Sequence, residues 1–158
     1  MTVVMPNPGS LRFEVTAVTT GGSAGEISFL GGDVVRFDAS AERVAALPGP
    51  ADLLTAAFAA CVLKNLARFA RIPGFGYASA RIEVVTERAI DPPRIVKVRW
   101  VLHVTTDDAP ERFRLLQTNI DRHGTIYNTV AAAAEITGEI VLYPVRPGRP
   151  DTAGVRRN

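Results

Sequence analysis

Cysteine is nearly absent from this sequence, with one residue, Cys61, in 158. A lone thiol cannot close an internal disulfide, which excludes a stapled scaffold and a cysteine-rich zinc site and fits a reducing compartment. Histidine is almost as scarce, with two residues, and no acidic cluster surrounds either of them, so no metal is expected. No long hydrophobic run approaches the roughly 20 residues that span a bilayer. The opening "MTVVMPNPGS" also lacks the basic and apolar regions of a secretory signal. A cytoplasmic protein with no membrane partner is the expectation. Charge of one sign is scarce too: the formal net charge is +2, and stretches such as "TERAIDPPRI" interleave acids with bases. Only the tail over residues 146–158, "RPGRPDTAGVRRN", is strongly basic. It is rich in Pro and Gly and has no aromatic residue on which a base could stack, so a flexible tail is expected rather than a nucleic-acid arm.

Nucleotide and hydrolase motifs are missing as well. The glycines at 21, 22, 25, 31 and 32 lead into a strand pattern, "GEISF", rather than a helix, and no Lys-Ser/Thr ending follows them. No Gly-x-Ser-x-Gly elbow occurs. Neither a phosphate cofactor nor serine-hydrolase chemistry is expected, and no cofactor of another kind is signalled.

What is present is a chain that is 47% hydrophobic and long enough for one core, read as a single domain over residues 1–145. Apolar and β-branched runs separated by Gly-Gly pairs predict a meander of three strands, about Leu11–Thr19, Glu26–Phe29 and Val34–Phe37. Pro48, Gly49 and Pro50 open a long helix, Asp52–Arg71, which stops before Pro73 and Gly74. Two strands follow around Asp91, Pro92 and Pro93. In the second, Val96, Val98, Trp100, Leu102 and Val104 alternate with Lys97, Arg99, Val101 and His103, which places His103 on the solvent face or at an interface. Asp108 is read as the cap of a helix from Pro110 to Asp121, with a further helix over Ile126–Glu135 and a last strand in "TGEIVLYPV". This order predicts an α+β fold, with antiparallel sheets packed on a long central helix. Apolar or small residues cover nearly the whole circumference of that helix from Leu53 to Ala60, more than one small sheet covers. A homodimer burying two such helices is therefore expected.

Cys61 sits on this helix. On an alanine-rich helix a cysteine is commonly a small core hydrophobe. Lys64, Asn65 and Arg68 lie within about 60° of it on a helical wheel, and a cation near a thiol favours the nucleophilic thiolate. Leu54, Ala57 and Phe58 crowd the same face and act in the opposite direction by desolvation. The residues alone leave both readings open. His123, Thr125, Tyr127 and Asn128 are read either as lining a small-ligand pocket or as a helix cap and amphipathic first turn.

Three segments carry a family resemblance. "GPADLLTAAFAAC" resembles the signature of the OsmC/Ohr proteins, the osmotically inducible and organic hydroperoxide resistance proteins. "TTGGSAGEISF" resembles their glycine turn into the second strand, and "HGTIYNTVAAAAEITGEIVL" their helix-to-final-strand segment. The likeness spans roughly residues 10–144. It implies an intertwined homodimer that reduces organic peroxides, with Cys61 as the peroxidatic thiol. In the family an arginine held by a glutamate favours the thiolate, and a second cysteine resolves the sulfenic acid as a disulfide that a dithiol resets. This chain differs at each supporting position. Gly124 and Thr125 stand where the second cysteine is expected, Ser23 stands for the arginine, and Ala51 for the glutamate, with Asp52 one residue along. Arg36, Arg43, Lys64 or Arg122 are the candidate replacements for the arginine. The implied function is a stress-response redox protein, a weak one-cysteine peroxidase reducing small hydrophobic peroxides through Cys61 and reset by an external thiol. Asp52, Lys64, His123, Thr125 and Tyr127 are its candidate pocket residues. The alternatives are a non-catalytic dimer binding a small hydrophobic ligand, and an inert, packed Cys61.

Overall fold

The structure is a computed structural model that describes residues 9–42 and 46–146. The chain divides into two compact units, Met1–Leu54 and Thr55–Asn158.

The first unit is an antiparallel meander of β1 (Val15–Thr19), β2 (Ala24–Phe29) and β3 (Val34–Asp38), in that spatial order. Its two turns use Gly21 and Gly32 at positive φ, where a residue with a Cβ is strained. The first strand is shorter than expected. Leu11 and Phe13 lie outside β1 and are more than four-fifths exposed, at 85% and 83%. Val15, Val18, Leu30 and Val34 are exposed as well, so the meander carries uncovered apolar surface.

The long helix α1, Pro50–Phe69, runs on into the second unit. Pro50 occupies its first position, where a missing N–H costs nothing, and the carboxylate of Asp52 reaches back to accept the Gly49 N–H at 2.9 Å. By length and composition α1 is long and apolar enough to cross a bilayer. Reading apolar runs one by one misses this, because Asp52, Lys64 and Arg68 interrupt the run. The core helix of a globular fold meets the same description.

In the second unit β4 (Ser79–Ala89) and β5 (Arg94–Thr105) form an antiparallel hairpin, followed by α2 (Pro110–His123), α3 (Thr125–Ala131) and β6 (Glu135–Tyr143). The strand β6 pairs parallel with β5, so this sheet is mixed where an antiparallel one was expected. The reason lies in the connection: two intervening helices give the chain the length that a parallel return requires. The helix α3 ends at Ala131, short of the expected Glu135, because residues 132–134 turn the chain into the last strand, which begins at Glu135; Lys97 meets Glu135 at 3.2 Å across the new pair.

One core joins these elements. Phe58, Val62, Leu66 and Phe69 of α1 cluster with Val98, Trp100, Leu102 and Val104 of β5 and with Phe113, Leu116 and Ile120 of α2. The spacing of the α1 members is the i, i+4, i+8, i+11 stripe of a helix with one buried face. The chain by itself therefore covers one stripe of a helix expected to be buried all round, and leaves Ala51, Leu54, Ala56 and Ala60 exposed. Gly74, at a φ of 78°, turns the chain after α1 so that the Phe75 ring meets Phe69 edge-on, with ring centres 4.6 Å apart.

Two further expectations change. Ala109, not Asp108, is the N-cap of α2, and it caps without a side-chain bond; the Asp108 carboxylate accepts the Gly76 N–H at 2.7 Å. His103 is half-buried, because its ring stacks on Tyr143 and its Nδ1 lies 3.0 Å from the Tyr143 hydroxyl.

The pairing of β5 with β6 rests on one close approach. Gly138 is the register partner of Trp100, and a Cβ on it would stand 2.0 Å from indole atom Cε2. Gly138→Ala is expected to destabilise the fold by about 3 kcal/mol, the upper part of the usual overpacking range. The midpoint of urea unfolding measures this, and an unchanged midpoint would show that the indole moves aside freely.

Candidate functional site

Cys61 lies past the middle of α1 and is half-buried. Helical geometry puts Phe58, one turn before, and Asn65, one turn after, on its face. Both flanking side chains are buried, and both meet the junction of α2 and α3. The Phe58 ring lies 5.7 Å from that of Tyr127, centre to centre, at an angle of 32°. The Asn65 Nδ2 is 3.5 Å from the point where a Cβ on Gly124 would stand. The thiol is thus held on the α1 face that looks toward the first turn of α3.

Asn65 is the polar partner of this thiol. Its Nδ2 donates to the Cys61 carbonyl oxygen at 2.9 Å and approaches Sγ at 3.8 Å, within reach of a donated bond to sulfur. Only 4% of Asn65 is exposed, and its Oδ1 has no hydrogen-bond partner among the described residues. A buried acceptor left unpaired costs about 1–3 kcal/mol, so its retention asks for a reason.

Gly124 brings the helices this close. It is the N-cap of α3, and a Cβ there would lie 2.8 Å from both the Ile120 carbonyl oxygen and the Tyr127 Cβ. Tyr127 closes the far side. Burial first, then a hydrogen bond to Asp121 and the charge of that carboxylate, push its phenol up to about 12. At neutral pH it is a neutral hydroxyl against an aromatic wall.

Three comparisons bear on this arrangement. The profile of the OsmC-like proteins matches residues 44–139. The chain belongs to the OsmC-like family. Solved structures agree in fold. An OsmC-like protein from Mycoplasma pneumoniae superimposes with a TM-score of 0.74 at 16% identity, covering 84% of this chain and 97% of that one. An organic hydroperoxide resistance protein OsmC, described as a predicted redox protein, from Legionella pneumophila gives 0.66 at 15% identity, over 84% and 99%. The organic hydroperoxide resistance protein OhrB of Bacillus subtilis gives 0.60 at 20% identity, over 81% and 98%. Comparison with curated proteins gives no match.

Of the sequence-derived site residues, Tyr127 is the one that the structure brings to the face of Cys61, through Phe58. Lys64, His123 and Thr125 are exposed, Lys64 on α1 and the other two flanking Gly124. Asp52 lies nine residues before the thiol. That is about 13 Å along the helix at 1.5 Å per residue, and its carboxylate serves the helix start. In the first unit Ser23 and Arg36, with Ala24, Asp38, Ala46 and Leu47, line a cleft of about 380 Å³. Arg43 lies outside the described residues. Sequence reasoning placed Asn65 on the thiol's face but grouped it with the solvated Lys64 and Arg68. Asn65 is buried against the α2–α3 junction, where its Nδ2 comes within ordinary contact distance, 3.5 Å, of the Cβ position of Gly124.

Any side chain at position 124 brings a Cβ whose nearest neighbours are a backbone carbonyl and the Tyr127 Cβ, and neither yields freely.

The Tyr127 environment is open to direct measurement. Of the chain's three tyrosines, one is expected to ionise at about 12 in an absorbance titration, and Tyr127→Phe removes that step. A phenol whose pKa is raised by folding stabilises the native state below its unfolded value near 10 and loses that contribution as pH rises through 12. Unfolding stability is therefore expected to fall more steeply between those pH values in the wild type than in Tyr127→Phe. Equal slopes would place the phenol in open solvent.

Proposed function

We propose that this OsmC-like protein is a one-cysteine reductase of organic hydroperoxides acting through Cys61. The observation that supports the reading is the placement of Cys61, half-buried on a helix face flanked by Phe58, whose ring meets Tyr127, and by the buried amide of Asn65, whose Nδ2 approaches Sγ at 3.8 Å. Apolar rings next to a nucleophile suit a peroxide with an organic tail better than hydrogen peroxide, because the tail leaves water as it docks.

The chemistry balances without a cofactor. The Cys61 thiolate attacks the terminal oxygen of ROOH, the S–O bond forms as the O–O bond breaks, and RO⁻ takes a proton from water to leave as ROH. Sulfur gives up two electrons and becomes a sulfenic acid. An external thiol R′SH then condenses with it, releasing water and leaving a mixed disulfide. A second R′SH displaces Cys61 as thiolate and departs as R′SSR′. With one cysteine in the chain, both reducing equivalents come from outside. We place the protein in the cytoplasm, where such thiols are abundant.

The working form is proposed to be a homodimer. The uncovered face of α1 is apolar surface that a second copy covers. Leu11, Phe13 and Val15 of the first unit are exposed apolar residues as well.

Two measurements test this. Intact mass after brief exposure to cumene hydroperoxide with dimedone is expected to show a single adduct that Cys61→Ser abolishes. Peroxide consumption in the presence of a small thiol is expected to fall to background in the same variant. A thiol that stays unmodified until the protein is denatured would direct attention to ligand binding instead. In solution the mass is expected to be twice the 16.9 kDa of the chain. A monomeric mass at micromolar concentration overturns the dimer.

A further inference from the structure

Asn65 keeps a buried amide, with its Oδ1 unpaired among the described residues, where a leucine would fill the space without that cost. The end of the amide that the position uses is therefore the donor end. Its orientation is fixed by a neighbour: turned over, Oδ1 would face the Cys61 carbonyl oxygen at the 2.9 Å now spanned by Nδ2, acceptor against acceptor. An amide nitrogen carries two hydrogens. One goes to that carbonyl, and the acceptor within reach of the other is Sγ of Cys61, at 3.8 Å. Donor and sulfur sit one helical turn apart on α1, so the helix alone sets their separation. A neutral thiol is a weak acceptor, and 3.8 Å is a loose contact. Ionisation changes this, because hydrogen bonds to a charged acceptor are shorter and about twice as strong.

We propose that Asn65 is the hydrogen-bond donor of the Cys61 thiolate: Nδ2–H donates to the sulfur whenever the sulfur carries charge. The inference rests on the peroxidatic reading of Cys61. In that cycle the sulfur is charged twice, as the nucleophile toward ROOH and as the group displaced from the mixed disulfide by the second external thiol. One donor serves both steps. The proton stays on nitrogen in each, so the atoms and electrons are those of the displacements already written. The charged and titratable groups around this face act on the sulfur less directly. Lys64 and Arg68 on α1, and Asp121 and His123 at the end of α2, are exposed, and the Tyr127 phenol is engaged with Asp121. Water and salt screen exposed charges, whereas the amide of Asn65 is buried beside the thiol, where a hydrogen bond keeps more of its strength.

The test is the pH profile of one thiol. Asn65→Leu keeps the volume and removes the donor. Asn65→Ala, the best helix former, serves as a second variant should the leucine disturb packing, and thermal melting shows that each is folded. The rate of Cys61 alkylation by iodoacetamide is followed against pH, with Cys61→Ser as the blank. The alkaline plateau reads access to the sulfur and the midpoint reads how readily the thiolate forms. The midpoint is expected to lie about one pH unit higher without the amide, the scale of one hydrogen bond to a charged group. The plateau is expected not to fall, since a thiolate that has lost a donor is the stronger nucleophile. A lower plateau at an unmoved midpoint would mean that Asn65 only shapes the site, and an unchanged profile would mean that it is a bystander. Both results overturn this inference, and the peroxidatic reading stands if cumene hydroperoxide with dimedone still labels the wild type. A wild-type thiol that alkylates but never sulfenylates overturns the peroxidatic reading and the inference with it.

Discussion

Everything in the second unit depends on one packed stripe of α1. Phe58, Val62, Leu66 and Phe69 recur at helical spacing, and their burial with β5 and α2 in a single core fixes the rotation of the helix about its axis. Once that rotation is fixed, the residue between Phe58 and Asn65 has no freedom of direction. Cys61 faces the start of α3 because its neighbours on either side are anchored there. The placement of the thiol is thus a by-product of core packing and needs no structure devoted to it.

Within this stripe, glycine does as much as the large side chains. Gly138 leaves room for the Trp100 indole, and Gly124 fits the tight turn between α2 and α3, where the Ile120 carbonyl oxygen and the Tyr127 Cβ would crowd a Cβ. Each works through a missing Cβ.

Much of this was legible in the residues. The central helix, the Gly-punctuated meander and the alternation along β5 follow from local periodicity, and the structure bears them out within a few residues. The family likeness rested on three short segments, and the profile match over residues 44–139 supports it. What stayed hidden was nonlocal. Periodicity does not distinguish a parallel from an antiparallel partner, so the direction of β6 beside β5 was missed. A histidine on the polar side of a strand reads as solvated until Tyr143, forty residues on, is found stacked against it. Asn65 reads as one of three polar residues on a wheel until the fold buries it against the α2–α3 junction.

The sequence by itself determined the elements, the single nucleophile and the absence of any second thiol, because these depend on residue type and near-neighbour spacing. Only the tertiary structure decided which of the polar neighbours Cys61 keeps. Lys64 and Asn65 are adjacent in the chain and both lie on the thiol's side of the helix, yet one points to water and the other is sealed beneath α3. A turn of helix sets direction to within tens of degrees. Whether that direction ends in solvent or against another element depends on side chains sixty residues away, and so on the fold.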